Sequence, residues 1–262
     1  MAQAVASVRR ERQPGHIVEV EPSPRWVRAT FNGETIADSK RAKLLRETGT
    51  RPAYYFPRED VRMDLLEPTD HQTHCPYKGD ASYWTMRVGD RVEPNSVWSY
   101  AVPFSDREDI RDYLAFYFAK MDAWYEEAEQ IYGHPRDPYH RVDVIESTRQ
   151  VRVVINGQTV AESSRPRLLF ETGHPTRFYL PPEDVRMDLL VASDKSTRCP
   201  YKGIASYWTA KVGDAELADI VWSYQDPIPD CPKAKGYLSF FNEKVDVYVD
   251  GELQERPVTG WS

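Results

Sequence analysis

Val27, Ala29 and Phe31 alternate with Arg28, Thr30 and Asn32, the period of a half-buried β-strand. Asn32-Gly33 then supplies two residues that tolerate positive φ, the requirement of a two-residue hairpin turn, and Asn156-Gly157 does the same later in the chain. Tyr54-Tyr55-Phe56 reads as a strand stopped by Pro57, and residues 83–88, 97–100 and 113–118 read as further strands. Trp84, Met86 and Val88 share one face of their strand, as do Trp208, Ala210 and Val212, and such a stripe predicts core. Tyr83 and Arg87 point the other way. Trp98 and Tyr100, two apart, share a face that could line a cleft or fill a core.

The pattern occurs twice. Glu59-Asp60-Val61-Arg62-Met63-Asp64-Leu65-Leu66 recurs unchanged at 183–190, Cys75-Pro76-Tyr77-Lys78-Gly79 at 199–203, Ala81-Ser82-Tyr83-Trp84-Thr85 at 205–209 and Val97-Trp98-Ser99-Tyr100 at 221–224. The shift is 124 throughout and needs no gap from about Val27 to about Asp122. A shift held through loops means one fold present twice, and a unit this long is a domain in its own right. The expected organisation is a first β-rich repeat over 23–132, a proline-containing linker over 133–146 and a second repeat over 147–257, with the stiff linker holding a pseudo-symmetric intramolecular pair.

Residues 109–132 are rich in Ala, Met, Glu and Leu and look helical on propensity alone. Their counterpart contains Val245-Asp246-Val247-Tyr248-Val249, a plain strand pattern. Two copies of one fold cannot differ there, so strand is expected to about Tyr125, with a short helix in the Glu-rich tail. The fold class is all-β: two tandem copies of a compact domain built as a small barrel or a two-sheet sandwich.

Composition narrows the function classes. With 34 basic against 41 acidic side chains the net charge is −7, which gives no long-range attraction to phosphate backbones, so no nucleic-acid partner is expected. The basic cluster Arg9, Arg10 and Arg12 reads as a solvated N-terminal arm. Three cysteines are too few for a disulfide framework and fit a reducing cytoplasm. No apolar run reaches the ~20 residues that span a bilayer, and the first fifteen residues lack the apolar core of a signal peptide. The expectation is a cytoplasmic monomer or weak homodimer without membrane contact.

The duplicated Cys75-Pro76-Tyr77-Lys78-Gly79 loop is the most chemical stretch. Its proline and glycine make a tight turn that would hold a thiol near an ammonium, and a neighbouring Lys⁺ favours thiolate. Cys75 and Lys78, with Cys199 and Lys202 in the second copy, are therefore catalytic candidates. The alternative is a small buried thiol before a turn, with the lysine paired to a carboxylate. His74, a potential base, is replaced by Arg198 in the second copy. The string His71, His74, Cys75 resembles metal-ligand spacing but becomes Lys195, Arg198, Cys199, so no metal and no cofactor is expected. Arg41, Glu47, Arg62, Asp64 and Lys78 recur as Arg165, Glu171, Arg186, Asp188 and Lys202, among apolar neighbours. They read either as internal ion pairs or, for Glu47 and Lys78, as groups converging on one pocket. The ligand-binding candidates are Glu47, Tyr83, Trp98 and Tyr100, with Glu171, Tyr207, Trp222 and Tyr224.

The string from N-G-x-x-[IV]-A-x-S-x-R through E-T-G, Y-[FL]-P, E-D-V and C-P-Y-K-G-x-A-S-Y-W to W-S-Y resembles the domain of unknown function 427 family, over both copies. The resemblance implies a compact β fold of the β-tent group. Relatives in that group hold zinc with paired C-x-x-C motifs, which this sequence lacks, or hold small cyclic ligands in an aromatic cage, for which Trp84, Trp98 and Tyr100 are the candidates. A nucleotidyltransferase label on the family implies a Gly-Ser motif with paired carboxylates. No such motif is present, although Asp246 and Asp250 lie near the C-terminus and Asp122 matches the first. Three readings stand: a small-molecule-binding protein, with or without catalysis, using one aromatic and charged pocket per repeat; a structural or protein-interaction module; and a thiol enzyme using Cys75 and Cys199.

Overall fold

The computed structural model describes residues 12–262 and contains strands, turns and short stretches of 3-10 helix. Arg9 and Arg10 lie outside the described residues. The chain divides into two compact units between Asp137 and Pro138.

The first unit holds β1 (Val18–Pro22), β2 (Val27–Phe31), β3 (Glu34–Ser39), β4 (Lys43–Glu47), β5 (Ala53–Pro57), β6 (Leu66–Cys75), β7 (Gly79–Val88), β8 (Arg91–Ser99), β9 (Tyr113–Phe116), β10 (Ala123–Glu126) and β11 (Glu129–Ile131). The second holds β12 (Val142–Glu146), β13 (Val151–Ile155), β14 (Gln158–Ser163), β15 (Arg167–Glu171), β16 (Arg177–Leu180), β17 (Leu190–Cys199), β18 (Gly203–Val212), β19 (Ala215–Pro227), β20 (Leu238–Phe240), β21 (Asp246–Val249) and β22 (Glu252–Leu253). Each unit pairs a seven-stranded antiparallel sheet with a four-stranded one. The orders are β1-β4-β5-β9-β8-β7-β6 and β11-β10-β2-β3, repeated in the second unit as β12-β15-β16-β20-β19-β18-β17 and β14-β13-β21-β22. Both large sheets are open, with β1 and β6 at opposite edges of one and β12 and β17 of the other. The all-β expectation holds in its two-sheet form; no barrel closes among the described residues.

Side-chain alternation explains the layering. In β5, Tyr54 and Phe56 join Phe31, Met86, Leu114 and Trp124 in the core between the sheets, while Tyr55 points to the opposite face of the large sheet. Trp84, Met86 and Val88 face the same core, as their spacing predicts. Asn32 and Gly33 adopt φ of 48° and 80° between β2 and β3, matched by 49° and 75° at Asn156 and Gly157, the left-handed pair of a type I′ hairpin.

Two expectations are corrected. The Glu-rich tail is a hairpin, β10–β11, turning at Glu127 with φ 51°. Helix propensity loses there to tertiary contacts. Trp124 pairs across to Ala29 and is buried, and Glu126 accepts from Tyr54 Oη and Arg25 at 2.7 and 2.6 Å. The stretch read as linker, 133–146, contains β12, which pairs with β15 as β1 pairs with β4.

Candidate functional site

Cys75 ends β6, Gly79 opens β7, and the two are cross-strand partners, so Pro76-Tyr77-Lys78 is a three-residue hairpin loop. Gly79 has φ 110°, and a Cβ there would stand 3.3 Å from the Val102 carbonyl; both facts demand glycine. The turn projects Lys78 inward, where it is almost fully buried and donates to Glu47 Oε2 at the end of β4. The other carboxylate oxygen of Glu47 lies 3.0 Å from His16 Nε2. The His16 ring is stacked on Tyr77 at 3.6 Å and 7°. Arg12 clamps the loop from outside, donating to the Pro76 carbonyl at 2.8 Å and pairing with Asp106. Arg12 is therefore bound, not part of a solvated tail.

The second repeat reproduces the cluster. Lys202 donates to Glu171 Oε2, His140 Nε2 lies 2.9 Å from Glu171 Oε1, and His140 stacks on Tyr201 at 4.1 Å. Burial alone would raise the Glu171 carboxyl, but Lys202 and His140 outweigh it and hold it below the usual carboxylate range.

Next to each ionic cluster, on the face of the large sheet turned away from the main core, lies a second aromatic group: Tyr55, Tyr83 and Tyr100 with half-buried Cys75 and Trp98, and in the second repeat Tyr179, Tyr207, Trp222 and Tyr224 with Cys199. The indole N–H and two of the three tyrosine hydroxyls of each group are engaged. Trp98 Nε1 donates to Tyr55 Oη at 3.1 Å and Trp222 to Tyr179 at 2.9 Å, with the rings edge to face. Tyr83 and Tyr207 share hydrogen bonds with Thr73 and Thr197 at 2.9 and 2.7 Å. Burial pushes the Tyr100 phenol up, and neighbouring Tyr55, Cys75, Tyr83 and Glu47 push it the same way; Tyr224 is raised likewise. The Lys78 ammonium stands 6.0 Å from the Tyr100 ring centre.

The structure thus brings together Glu47, Cys75, Lys78, Tyr83, Trp98 and Tyr100, and separately Glu171, Cys199, Lys202, Tyr207, Trp222 and Tyr224. Trp84 is not with them. It points into the main core, as strand parity requires, so it cannot share a cage with Trp98 and Tyr100. Arg41, Arg62 and Asp64 are surface groups in local ion pairs with Glu59, Asp60 and each other. His71 packs on Tyr83, while His74 bonds Asp80 at 2.6 Å. Asp122, Asp246 and Asp250 are each paired with an arginine: Arg91, Arg256 and Arg149.

Tyr55 and Tyr77, with Tyr179 and Tyr201, lie inside the repeat but read only as strand and turn residues, while His16 and His140 escape a reading that starts it at Val27. The 124-residue shift continues backwards, however, placing Arg12-x-Pro14-x-His16 over Arg136-x-Pro138-x-His140. Extending the self-alignment would have exposed both histidines.

The second repeat also differs. Arg177 replaces Ala53, Phe241 replaces Tyr117 and Glu243 replaces Ala119. Arg177 makes a buried bidentate pair with Glu243, both bonds 2.6 Å, and its guanidinium stands 5.5–5.9 Å from the rings of Trp222, Phe241 and Trp261. Thr259 donates to Glu243 at 2.7 Å, so the C-terminal segment is fastened over this face. Trp222 is 7% exposed, whereas in the first repeat Trp98 is half-buried beside Tyr117, which is 44% exposed. Among the described residues one set of side chains has metal-ligand spacing: His140, Glu171 and His174.

A comparison with curated proteins finds none that matches. The family model described as "Domain of unknown function (DUF427)", with the short label NTP_transf_9, matches residues 19–127 and again 143–251. Those two spans take in the ionic and aromatic clusters of each repeat, apart from the flanking histidines, and all strands except the short edge strands β11 and β22 and the first residue of β1 and of β12. The chain therefore belongs to the DUF427 family, as two tandem copies of its domain.

Proposed function

We propose that each repeat binds a small organic molecule against the Tyr55–Tyr83–Trp98–Tyr100 face, or Tyr179–Tyr207–Trp222–Tyr224 in the second, with the Glu–Lys–His cluster orienting its polar end. One observation carries this reading. In both repeats, three tyrosines, an indole, a thiol and a buried carboxylate–ammonium–imidazole set share one sheet face. Packing alone is served better by aliphatic side chains, because buried polar groups cost free energy even when paired. An apolar wall with a few oriented polar groups is the usual chemistry of a small-molecule site. The first repeat is the more accessible, since Tyr117 and Trp98 stand open where the second is covered by its C-terminal segment.

The protein acts in the cytoplasm, without nucleic-acid or membrane partners, as a monomer or weak homodimer. The net charge of −7 disfavours a nucleic-acid partner, and no helix among the described residues is long and apolar enough to cross a membrane.

A structural role is the second reading, favoured by the full pairing of Glu47, whose two oxygens are both engaged. Thermal-shift screening of small cyclic metabolites separates the two. Binding predicts a compound that raises the melting temperature of the parent chain and loses at least about tenfold in affinity in Trp98→Phe or Tyr100→Phe. No stabilising compound, together with large stability losses in Lys78→Met and Lys202→Met, favours the structural role. The thiol reading fails if Cys75 and Cys199 react with iodoacetamide no faster than buried Cys231.

A further inference from the structure

We propose that the second repeat, and not the first, carries a site for a divalent transition-metal ion, formed by His140, Glu171 and His174. One ligand atom from each of the three lies within 4.8 Å of the others. This departs from the general expectation of no metal, which rested on the His71–His74–Cys75 string and on the missing C-x-x-C motifs.

Local structure prepares each ligand. Glu171 and His174 are the ends of a tight turn through Thr172 and Gly173, closed by His174 N–H donating to the Glu171 carbonyl at 3.0 Å, and Gly173 supplies its φ of 72°. That turn sets the His174 ring beside the carboxylate. His174 Nδ1 lies 2.9 Å from the Thr172 carbonyl. A carbonyl only accepts, so Nδ1 carries the proton, and the Nε2 of the neutral ring presents its lone pair. A backbone carbonyl fixing the far nitrogen is the usual outer partner of a metal-bound histidine. His140 is held by stacking on Tyr201, and His174 packs on Trp261 at 5.7 Å. Lys202 occupies Glu171 Oε2, which turns Oε1 towards His140. The ion replaces the proton between His140 Nε2 and Glu171 Oε1; the bound ring keeps one proton, on Nδ1, so an imidazolium releases a proton to solvent and a neutral ring only changes tautomer. Two imidazoles and a carboxylate suit Zn²⁺ and leave its fourth position open. The Lys202 ammonium weakens the site without blocking Oε1.

The first repeat is an internal control. It has His16, Glu47 and the same turn, with Thr50 N–H donating to the Glu47 carbonyl at 3.0 Å. Thr50, however, stands where the second repeat has His174, and a threonine gives no imidazole.

The test is calorimetric titration of the chelator-treated full-length protein with Zn²⁺, repeated with Co²⁺ to read its visible absorption. The parent is expected to bind one equivalent. His174→Thr, which installs the residue the same turn already accepts in the first repeat, is expected to fold and to lose at least about tenfold in affinity. Thr50→His is expected to raise the stoichiometry to two. No saturable binding by the parent, or parent affinity retained by His174→Thr, overturns the assignment. These outcomes do not depend on whether the aromatic face binds an organic ligand.

Discussion

Lys78→Met removes one charge from a pair in which the Lys78 and Glu47 side chains are 8% and 9% exposed. Methionine keeps most of the aliphatic length, so little packing is lost and the change isolates the charge. Breaking a buried pair by deleting one partner costs about 3–5 kcal/mol, because the remaining ion stays desolvated. Here Glu47 retains His16 at 3.0 Å, which places the expected loss near the lower end, about 3 kcal/mol. For a domain of this size that corresponds to a fall of roughly 10–15 °C in melting temperature. Lys202→Met repeats the perturbation in the second repeat, where His140 gives the same partial relief. Tryptophan-monitored thermal and urea unfolding of the single variants, with Glu47→Gln and the double variant, completes a cycle. The double variant is expected to recover part of the loss, since it leaves no uncompensated ion. Lys78→Met within about 0.5 kcal/mol of the parent, or a double variant whose loss equals the sum of the singles, would refute this reading of the pair.

Four further outcomes follow from the geometry. Gly79→Ala is expected to destabilise by about 1–3 kcal/mol in urea unfolding, because φ of 110° and the nearby Val102 carbonyl both oppose a Cβ. Arg177→Met is expected to cost about 3–5 kcal/mol by leaving Glu243, whose side chain is fully buried, without its cation; a loss under about 1 kcal/mol would contradict it. Burial alone would raise the Glu243 carboxyl, but Arg177, Thr259 and a backbone hydrogen bond hold it low. Its contribution is therefore complete above the ordinary glutamate range and lost as pH falls through its depressed value. Glu243→Gln should accordingly flatten the acid limb of the stability curve below about pH 4.5. Finally, burial pushes the Cys231 thiol up to about 11, so iodoacetamide at neutral pH should modify it only as the second repeat unfolds.

Most of the fold was legible because period-two alternation and the repeat are both strong signals. The Asn-Gly hairpins, the strand stopped by Pro57 and the core stripe of Trp84, Met86 and Val88 lie where the pattern puts them. What misled was local propensity. Ala and Glu in residues 123–131 favour helix, yet pairing of Trp124 with Ala29 and burial of its ring decide for strand. The ion pairing of Lys78 with a carboxylate was foreseen as one of two alternatives, but His16 as the carboxylate's second partner was not. It lies in a proline- and glycine-flanked segment with no alternation, and only its twin at His140 marks it. The Arg177–Glu243 pair and the covering Trp261 were illegible for a different reason: they belong to one copy alone, so the repeat carries no trace of them.

If the aromatic face beside the ionic cluster receives a small molecule, the indole N–H groups report on it directly. Trp98 and Trp222 donate to Tyr55 and Tyr179 within that face, whereas Trp84 and Trp124 point to the main core. Nitrogen–proton correlation spectra of the ¹⁵N-tryptophan-labelled chain, recorded with a stabilising compound from the screen, should show the Trp98 signal moving first and Trp222 less, with Trp84 and Trp124 still. Shifts confined to the other tryptophans, or no shift at Trp98 with any compound that stabilises the protein, would contradict the account.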